Sequence, residues 1–311
     1  MYKKVSICIP AYNHTIFLRK LLQSILDQNY TNYEIIITDD SDTDSVKKII
    51  DEYDFGEKLH YFRNEKALGS PKNWNYCISK ATGEYIKIVH HDDWFSNNTS
   101  LEKLVQLLES GDKNFAFCGC NNLSTDGELL FYHSITEKQV SIIRESPEYL
   151  FFANKIGSPS VTIFKNNKIS FDNEIKYLVD IEFYIQLLNN NHNFTYTTES
   201  LINIGHSESQ VTNLFTNNKN LLMSEYSYVV KRSDITKSNF KWYFKAFWEL
   251  FGSFNIMSVT ELKSSGWQGD PPRFIVRIIE ARRFFKKIGL YKRQRTVQTL
   301  VYNFCKQIDL Y

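Results

Sequence analysis

No uninterrupted apolar run in this sequence approaches the roughly 18 residues that a membrane-spanning helix needs, so no spanning segment is expected. Cysteine is sparse and odd in number: Cys8, Cys77, Cys118, Cys120 and Cys305 form no Cys-x-x-Cys pair and no Cys/His ligand spacing. That scarcity points to a reducing compartment. The apolar segment Val5-Ser6-Ile7-Cys8-Ile9-Pro10 is too short for a signal peptide and has the form of a first core strand, so a soluble or peripherally bound cytoplasmic protein is expected. Internal repeats are missing as well. Net charge is almost absent at +2, but residues 1–214 carry 20 Lys and Arg against 28 Asp and Glu, and residues 215–311 carry 17 against 7. An acidic part of −8 and a cationic end of +10 result, and the latter suits an anionic surface.

What is present is an alternation of strands and helices. Val5 to Ile9 reads as a strand, stopped by Pro10-Ala11-Tyr12-Asn13 before a helix with Phe17, Leu18, Leu21, Leu22, Ile25 and Leu26 at helical spacing. A second strand, Glu34 to Thr38, ends in Asp39-Asp40-Ser41-Asp42. A helix (Val46 to Tyr53), a strand (Leu59 to Arg63), a helix (Lys72 to Lys80) and a strand ending at His90 follow. The alternation over residues 3–120 predicts a largely parallel sheet with right-handed crossovers. Thr99-Ser100-Leu101-Glu102 has capping-box spacing and predicts a helix start. Further strands are expected at Phe115 to Gly119, Glu128 to His133 and Val161 to Phe164, then a helix opening at Asp180. Beyond Phe215 the pattern becomes helical: Leu221 to Val230, Phe240 to Phe254, Phe274 to Leu290 after Pro271-Pro272, and Thr296 to Ile308.

The chemistry gathers at strand ends, where open α/β sheets bind ligands. The run Tyr85-Ile86-Lys87-Ile88-Val89 stops in His90-His91-Asp92-Asp93-Trp94. Carboxylates there suit a hard divalent cation such as Mn²⁺ or Mg²⁺, whose remaining positions water and the phosphate oxygens of a sugar nucleotide would fill. At Pro10 to Asn13 the backbone groups and the Tyr12 ring can pack on a nucleotide base. Asp39 or Asp40 can accept a uracil N–H, or can serve as the N-cap region of the next helix. Lys72 and Asn73 follow the Gly69-Ser70-Pro71 turn near a helix N-terminus that attracts phosphate.

Taken in order, the segment from Val5 to Asn13, the acidic cluster from Asp39, Asn64 with Gly69 and Asn73, Gly83-Glu84-Tyr85-Ile86, His90 to Trp94, and Asp180 resemble glycosyltransferase family 2, the inverting enzymes of GT-A fold that build bacterial surface polysaccharides. The likeness runs over residues 3–206 and leaves out the helical tail. It implies an α/β, Rossmann-like GT-A domain over residues 1–214, a mostly parallel sheet flanked by helices, with a helical region over 215–311. It further implies transfer of one hexose from a nucleoside diphosphate sugar, UDP-linked first, to a hydroxyl of a glycan or polyprenyl-linked glycan in O-antigen or capsule synthesis.

Residue by residue, the resemblance assigns the uracil contact to Asp39, the base that deprotonates the acceptor to Asp180, and a place near the pyrophosphate to His206. Asp180 also fits a plain helix cap. The family's Asp-x-Asp falls on His90-His91-Asp92, so His90 stands where the first acid is usual and can hydrogen-bond a ribose hydroxyl, with His91 beside it on the donor side. Asp92 is the expected metal ligand and Asp93 the alternative if the frame shifts by one. The Gln-x-x-Arg-Trp signature of processive synthases is absent, which favours a single transfer. Two other readings share these features, an inactive nucleotide-sugar-binding scaffold and a nucleotidyltransferase. The latter would want a glycine-rich basic loop where Pro10-Ala11-Tyr12-Asn13 stands.

In the tail, Arg273, Arg277, Arg282, Arg283, Lys286, Lys287, Lys292, Arg293 and Arg295 meet a single acid, Glu280, and alternate with Phe274, Ile275, Ile278, Ile279, Phe284, Phe285, Ile288 and Leu290. This basic, apolar segment at 273–295 suggests contact with an anionic membrane surface. Nucleic acid is not expected, since nothing in the chain reads bases.

Overall fold

The computed structural model describes residues 3–13, 15–191, 193–206, 215, 217–289 and 294–308. It divides into two compact units, residues 1–141 with 155–210, and residues 142–154 with 211–311. A boundary at 214 falls outside the described residues.

The first unit is organised by a nine-stranded sheet. Its strands β1 (Val5–Ala11), β2 (Tyr33–Asp39), β3 (Leu59–Arg63) and β4 (Tyr85–Ile88) are parallel in the order β3-β2-β1-β4. Every residue of β1 and β2 is buried, as expected of strands covered on both faces. Crossover helices α1 (Leu18–Leu26), α2 (Ser45–Ile50) and α3 (Lys72–Ser79) connect them. α1 buries Leu18, Leu21, Leu22 and Ile25, one stripe at helical spacing. Each such side chain contributes about 1.5–3 kcal/mol by leaving water.

Beyond β4 the sheet is mixed. β8 (Thr162–Lys165) runs antiparallel to β4 and to β6 (Phe115–Leu123), while β9 (Phe194–Gly205) is parallel to β6. β5 (Asp93–Phe95) and β7 (Leu129–His133) pair antiparallel with β9 and β6. The parallel expectation therefore holds for β1 to β4. It ends where β4's free edge is taken by β8, a strand arriving from more than 70 residues later in the chain. α4 (Ser100–Glu109) starts where expected, but Thr99 forms no side-chain cap: its hydroxyl donates to Asn97 Oδ1 at 2.7 Å. α5 (Glu137–Glu145) spans the break between the units.

The second unit contains α6 (Tyr149–Phe152), α8 (Lys219–Arg232), α9 (Phe240–Ser253), α10 (Val259–Ser264), α11 (Arg273–Lys287) and α12 (Gln294–Ile308), while α7 (Val179–Asn191) belongs to the first. Aromatic rings fill its core: Phe151 lies 4.9 Å from Tyr226 and 5.1 Å from Tyr243, and Phe274 5.3 Å from Phe240. α11 commits Phe274, Ile275, Ile278 and Ile279 to that core, so the apolar stripe of the basic segment is structural over these residues. Arg282 is buried too, and its guanidinium donates to the Trp248 carbonyl at 3.1 Å. Leu290, Lys292 and Arg293 lie outside the described residues. Among the described residues no helix is long and apolar enough to cross a membrane.

Candidate active site

The carboxyl ends of β1, β2 and β3 lie in register, Ala11 beside Asp39 and Asp39 beside Arg63. β2 therefore delivers Asp39 and Asp40 to the same edge as the Pro10–Asn13 turn. Both carboxylates are buried and bonded. Asp39 accepts the Ser41 N–H at 2.9 Å and the Tyr61 hydroxyl at 2.7 Å. Asp40 accepts Asn64 Nδ2 at 2.6 Å and the N–H groups of Leu68 and Gly69 at 3.0 and 2.8 Å. A carboxylate offers about four acceptor positions, so Asp39 keeps more capacity for a ligand than Asp40, which ties down the 64–69 loop.

Asn73 is part of the same fastening. Its side chain donates to the Thr38 carbonyl at 3.0 Å and accepts from Asn64 at 3.0 Å, and it is 4% exposed. Lys72 beside it is exposed, and Tyr12 is 43% exposed. Asn13 holds a left-handed φ of 47° and bonds Ser41 Oγ through its N–H at 2.7 Å, clamping the first turn to the second.

After β4 the chain makes a tight turn in which the Asp93 N–H returns to the His90 carbonyl at 3.0 Å. One ligand atom from each of His90, Asp92 and Asp93 lies within 4.8 Å of the others. His90 is seated by two neighbours: its N–H donates to Ser160 Oγ at 2.9 Å and Trp74 packs 4.7 Å from the ring, while Nε2 is buried without a hydrogen-bond partner. Burial lowers its pKa to about 4, leaving a neutral imidazole. His91 places Nδ1 3.3 Å from the Pro10 carbonyl, joining this turn to the first.

Asp93 is 2% exposed, sits in β5 and takes a hydrogen bond from Ser160. Burial, and Asp92 beside it, push its carboxyl well above the usual range. Asp92 is the more accessible of the two.

Gly205 closes the turn from below, its N–H donating to the Asp92 carbonyl at 3.1 Å. A Cβ there would lie 2.5 Å from that oxygen and 2.8 Å from the Phe17 ring. Gly205→Ala is therefore expected to destabilise the fold by about 1–3 kcal/mol and to weaken ligand binding at the cluster, readable by urea unfolding and calorimetry of Mn²⁺ with UDP. A variant as stable and as competent in binding as the parent would show that the turn tolerates displacement.

Asp180 lies in the first turn of α7, with Oδ1 buried and without a hydrogen-bond partner. Burial raises its pKa to about 7. Tyr184, one turn on, donates to the Gly157 carbonyl at 3.1 Å, which sets α7 against the segment that carries Ser160. His206 follows the last residue of β9, with Nε2 2.8 Å from Asn122 Oδ1 and its ring 5.8 Å from Phe131.

Three residues of this constellation escaped the sequence reading. Lys87, fully buried in β4, sends Nζ to the carbonyls of Ile88, at 2.9 Å, and Ser160. Burial lowers its pKa to about 8. Ser160 links His90 and Asp93, and Gly205 supports Asp92. Only Lys87 carried a readable signal, a charge in the middle of an apolar strand.

The family model described as "Glycosyl transferase family 2" matches residues 6–169. TuaG of Bacillus subtilis, named for teichuronic acid biosynthesis, is 29% identical over 133 residues, 42% of this chain and 52% of TuaG. Glycosyltransferase GlyG of Streptococcus pneumoniae is 29% identical over 185 residues, 56% of this chain and 61% of GlyG. The matches thus span about half to three fifths of these relatives' lengths. Among solved structures, Staphylococcus aureus TarS 1-349 in complex with UDP-GlcNAc superposes with a TM-score of 0.66 over 95% of this chain and 90% of that one, at 17% identity. That likeness establishes the GT-A fold.

Proposed function

Because the chain belongs to glycosyl transferase family 2, we propose that it transfers one hexose, with inversion, from a nucleoside diphosphate sugar to a hydroxyl of a glycan or polyprenyl-linked glycan in cell-surface polysaccharide synthesis, at the cytosolic face of the membrane. The observation that carries the reading is the convergence of His90, Asp92 and Asp93 at the carboxyl edge of the parallel strands. The UDP-GlcNAc bound by TarS and the name of TuaG favour a UDP-sugar and a surface polymer.

One imidazole and two carboxylates within 4.8 Å suit Mn²⁺ or Mg²⁺, and the partnerless, buried His90 Nε2 fits a ligand or a ribose hydroxyl. Asp92 and, behind it, Asp93 would hold the ion, which when bound supplies Lewis-acid stabilisation of the departing diphosphate. Tyr12 stacks on the base and Asp39 accepts its N–H, while Asp40 and Asn73 keep the walls of that site in place. Lys72 and His206 approach the phosphates. Asp180 takes the proton of the acceptor hydroxyl as that oxygen attacks the anomeric carbon from the side opposite the leaving group. A single displacement needs one base and no covalent intermediate.

The test is donor turnover across UDP-, GDP- and dTDP-sugars with and without Mn²⁺, read as nucleoside diphosphate released in the presence of acceptor extracts. Release from one donor class supports the reading. Binding of a donor with no release under any condition would favour an inactive scaffold, for which His90 in place of an acid is the supporting feature.

A pH profile adds a second check. With its pKa near 7, Asp180 is protonated and inactive as a base below that pH. kcat/KM is then expected to rise with pH up to about 7 and level off, gaining roughly tenfold per unit on the rising limb. A profile flat from pH 5.5 to 8 would remove Asp180 from the proton transfer.

A further inference from the structure

We infer that the outward faces of α11 and α12 form a docking surface for an anionic lipid bilayer. This deepens the proposed function and rests on it for its purpose, bringing the enzyme to a lipid-linked acceptor.

The apolar side chains that dock are not those of the α11 core stripe. Phe274, Ile275, Ile278 and Ile279 are consumed by the interior of the second unit. Left in solvent are Phe284 and Ile288, one turn apart at the end of α11, 56% and 47% exposed. α12 repeats the arrangement. Val297, Val301 and Cys305 point inward at four-residue spacing, whereas Leu300, Phe304 and Ile308, at the same spacing, are 58%, 52% and 46% exposed. The Arg277 guanidinium lies 4.9 Å from the Phe304 ring centre, so the two exposed stripes adjoin.

Charge selects the occupant. Arg283, Lys286 and Lys287 are exposed beside Phe284 and Ile288, and Glu280 is the only acid in either helix. A second copy placed on this face would set these cations against their own counterparts. A polyanion without apolar depth would leave five large side chains in water. Anionic headgroups over an acyl boundary satisfy both sets, since cations meet phosphates while aromatic and aliphatic groups enter the interface.

The test uses the full chain and co-sedimentation with vesicles of phosphatidylcholine alone or mixed with phosphatidylglycerol, at low and high salt. Binding is expected only to the mixed vesicles, weakening with salt. The triple variant Arg283→Gln/Lys286→Gln/Lys287→Gln should lose roughly 100-fold in partition coefficient, and Leu300→Ser/Phe304→Ser at least roughly tenfold. Circular dichroism and thermal unfolding check that these exposed substitutions leave the fold intact.

Equal binding to neutral vesicles, no binding to either, or binding unchanged in both variants would overturn the inference. So would a concentration-dependent dimer that Leu300→Ser/Phe304→Ser abolishes. Donor turnover on a soluble acceptor, followed in the same preparations, separates the two levels. Variants that lose vesicles but keep turnover support the docking surface, whereas vesicle binding without turnover by any variant leaves docking standing and refutes the transferase reading.

Discussion

Asp180→Asn is expected to lower sugar transfer by about 10²- to 10⁴-fold, the usual worth of a positioned base, while nucleoside diphosphate binding stays unchanged. The amide keeps the shape of the carboxyl but cannot accept the hydroxyl proton. Asp180 lies on α7, apart from the β-strand ends that carry the donor-side residues, and its Oδ1 is buried with no protein partner to lose. A helix-capping role would look different, because removing a cap costs about 0.5–2 kcal/mol of stability and would not separate rate from binding. Initial rates and calorimetry with UDP decide the matter. A variant that loses binding in step with rate would make Asp180 structural.

Asp92→Ala is expected to cost about 10²- to 10³-fold in turnover, the scale on which electrostatic stabilisers of a leaving group act, and to abolish Mn²⁺-dependent tightening of UDP binding. The choice of Asp92 over Asp93 follows from their surroundings. Asp93 is 2% exposed and bound to Ser160, so Asp93→Asn should show itself first in stability. With His90 in place of an acid the cluster is short one negative charge, so the ion should bind weakly alone and tightly with the diphosphate. Full turnover in excess chelator would remove the ion from the reaction. Turnover retained by Asp92→Ala but lost by Asp93→Asn would move the ligand frame by one residue.

Much of the first unit is legible before any coordinates. Apolar runs ending in polar or acidic residues define β2 and β4, β1 is found but continues through Pro10 to Ala11, paired with Thr38 and Asp39, and the stripe from Leu18 to Ile25 defines α1. Local signals fail where partners come from afar. Two of the Ser/Thr-x-x-Glu segments show it: Thr99 turns to Asn97, whereas Ser258 accepts the Glu261 N–H at 3.1 Å and Glu261 accepts the Met257 N–H at 3.0 Å, starting α10. Spacing is the same, and the neighbouring residues decide.

Asp40 and Asn73 stand at the donor edge by sequence position, but their side chains are engaged by Asn64, Leu68, Gly69 and Thr38, contacts up to 35 residues distant. Residues 142–154 join the second unit through rings such as Phe151 on Tyr226, which no local pattern announces. Lys87 and Ser160, 73 residues apart, meet beneath the His90 turn only once β4 and β8 are paired.

The anomeric configuration of the product tests the central claim most directly. The parent chain is incubated with the α-linked UDP-sugar selected by the donor screen and with its acceptor, and the new linkage is read by proton NMR before any equilibration. Single displacement with Asp180 as base predicts a β-linked product. An α-linked product would require two displacements or a front-side path, and would contradict the mechanism assigned to this site.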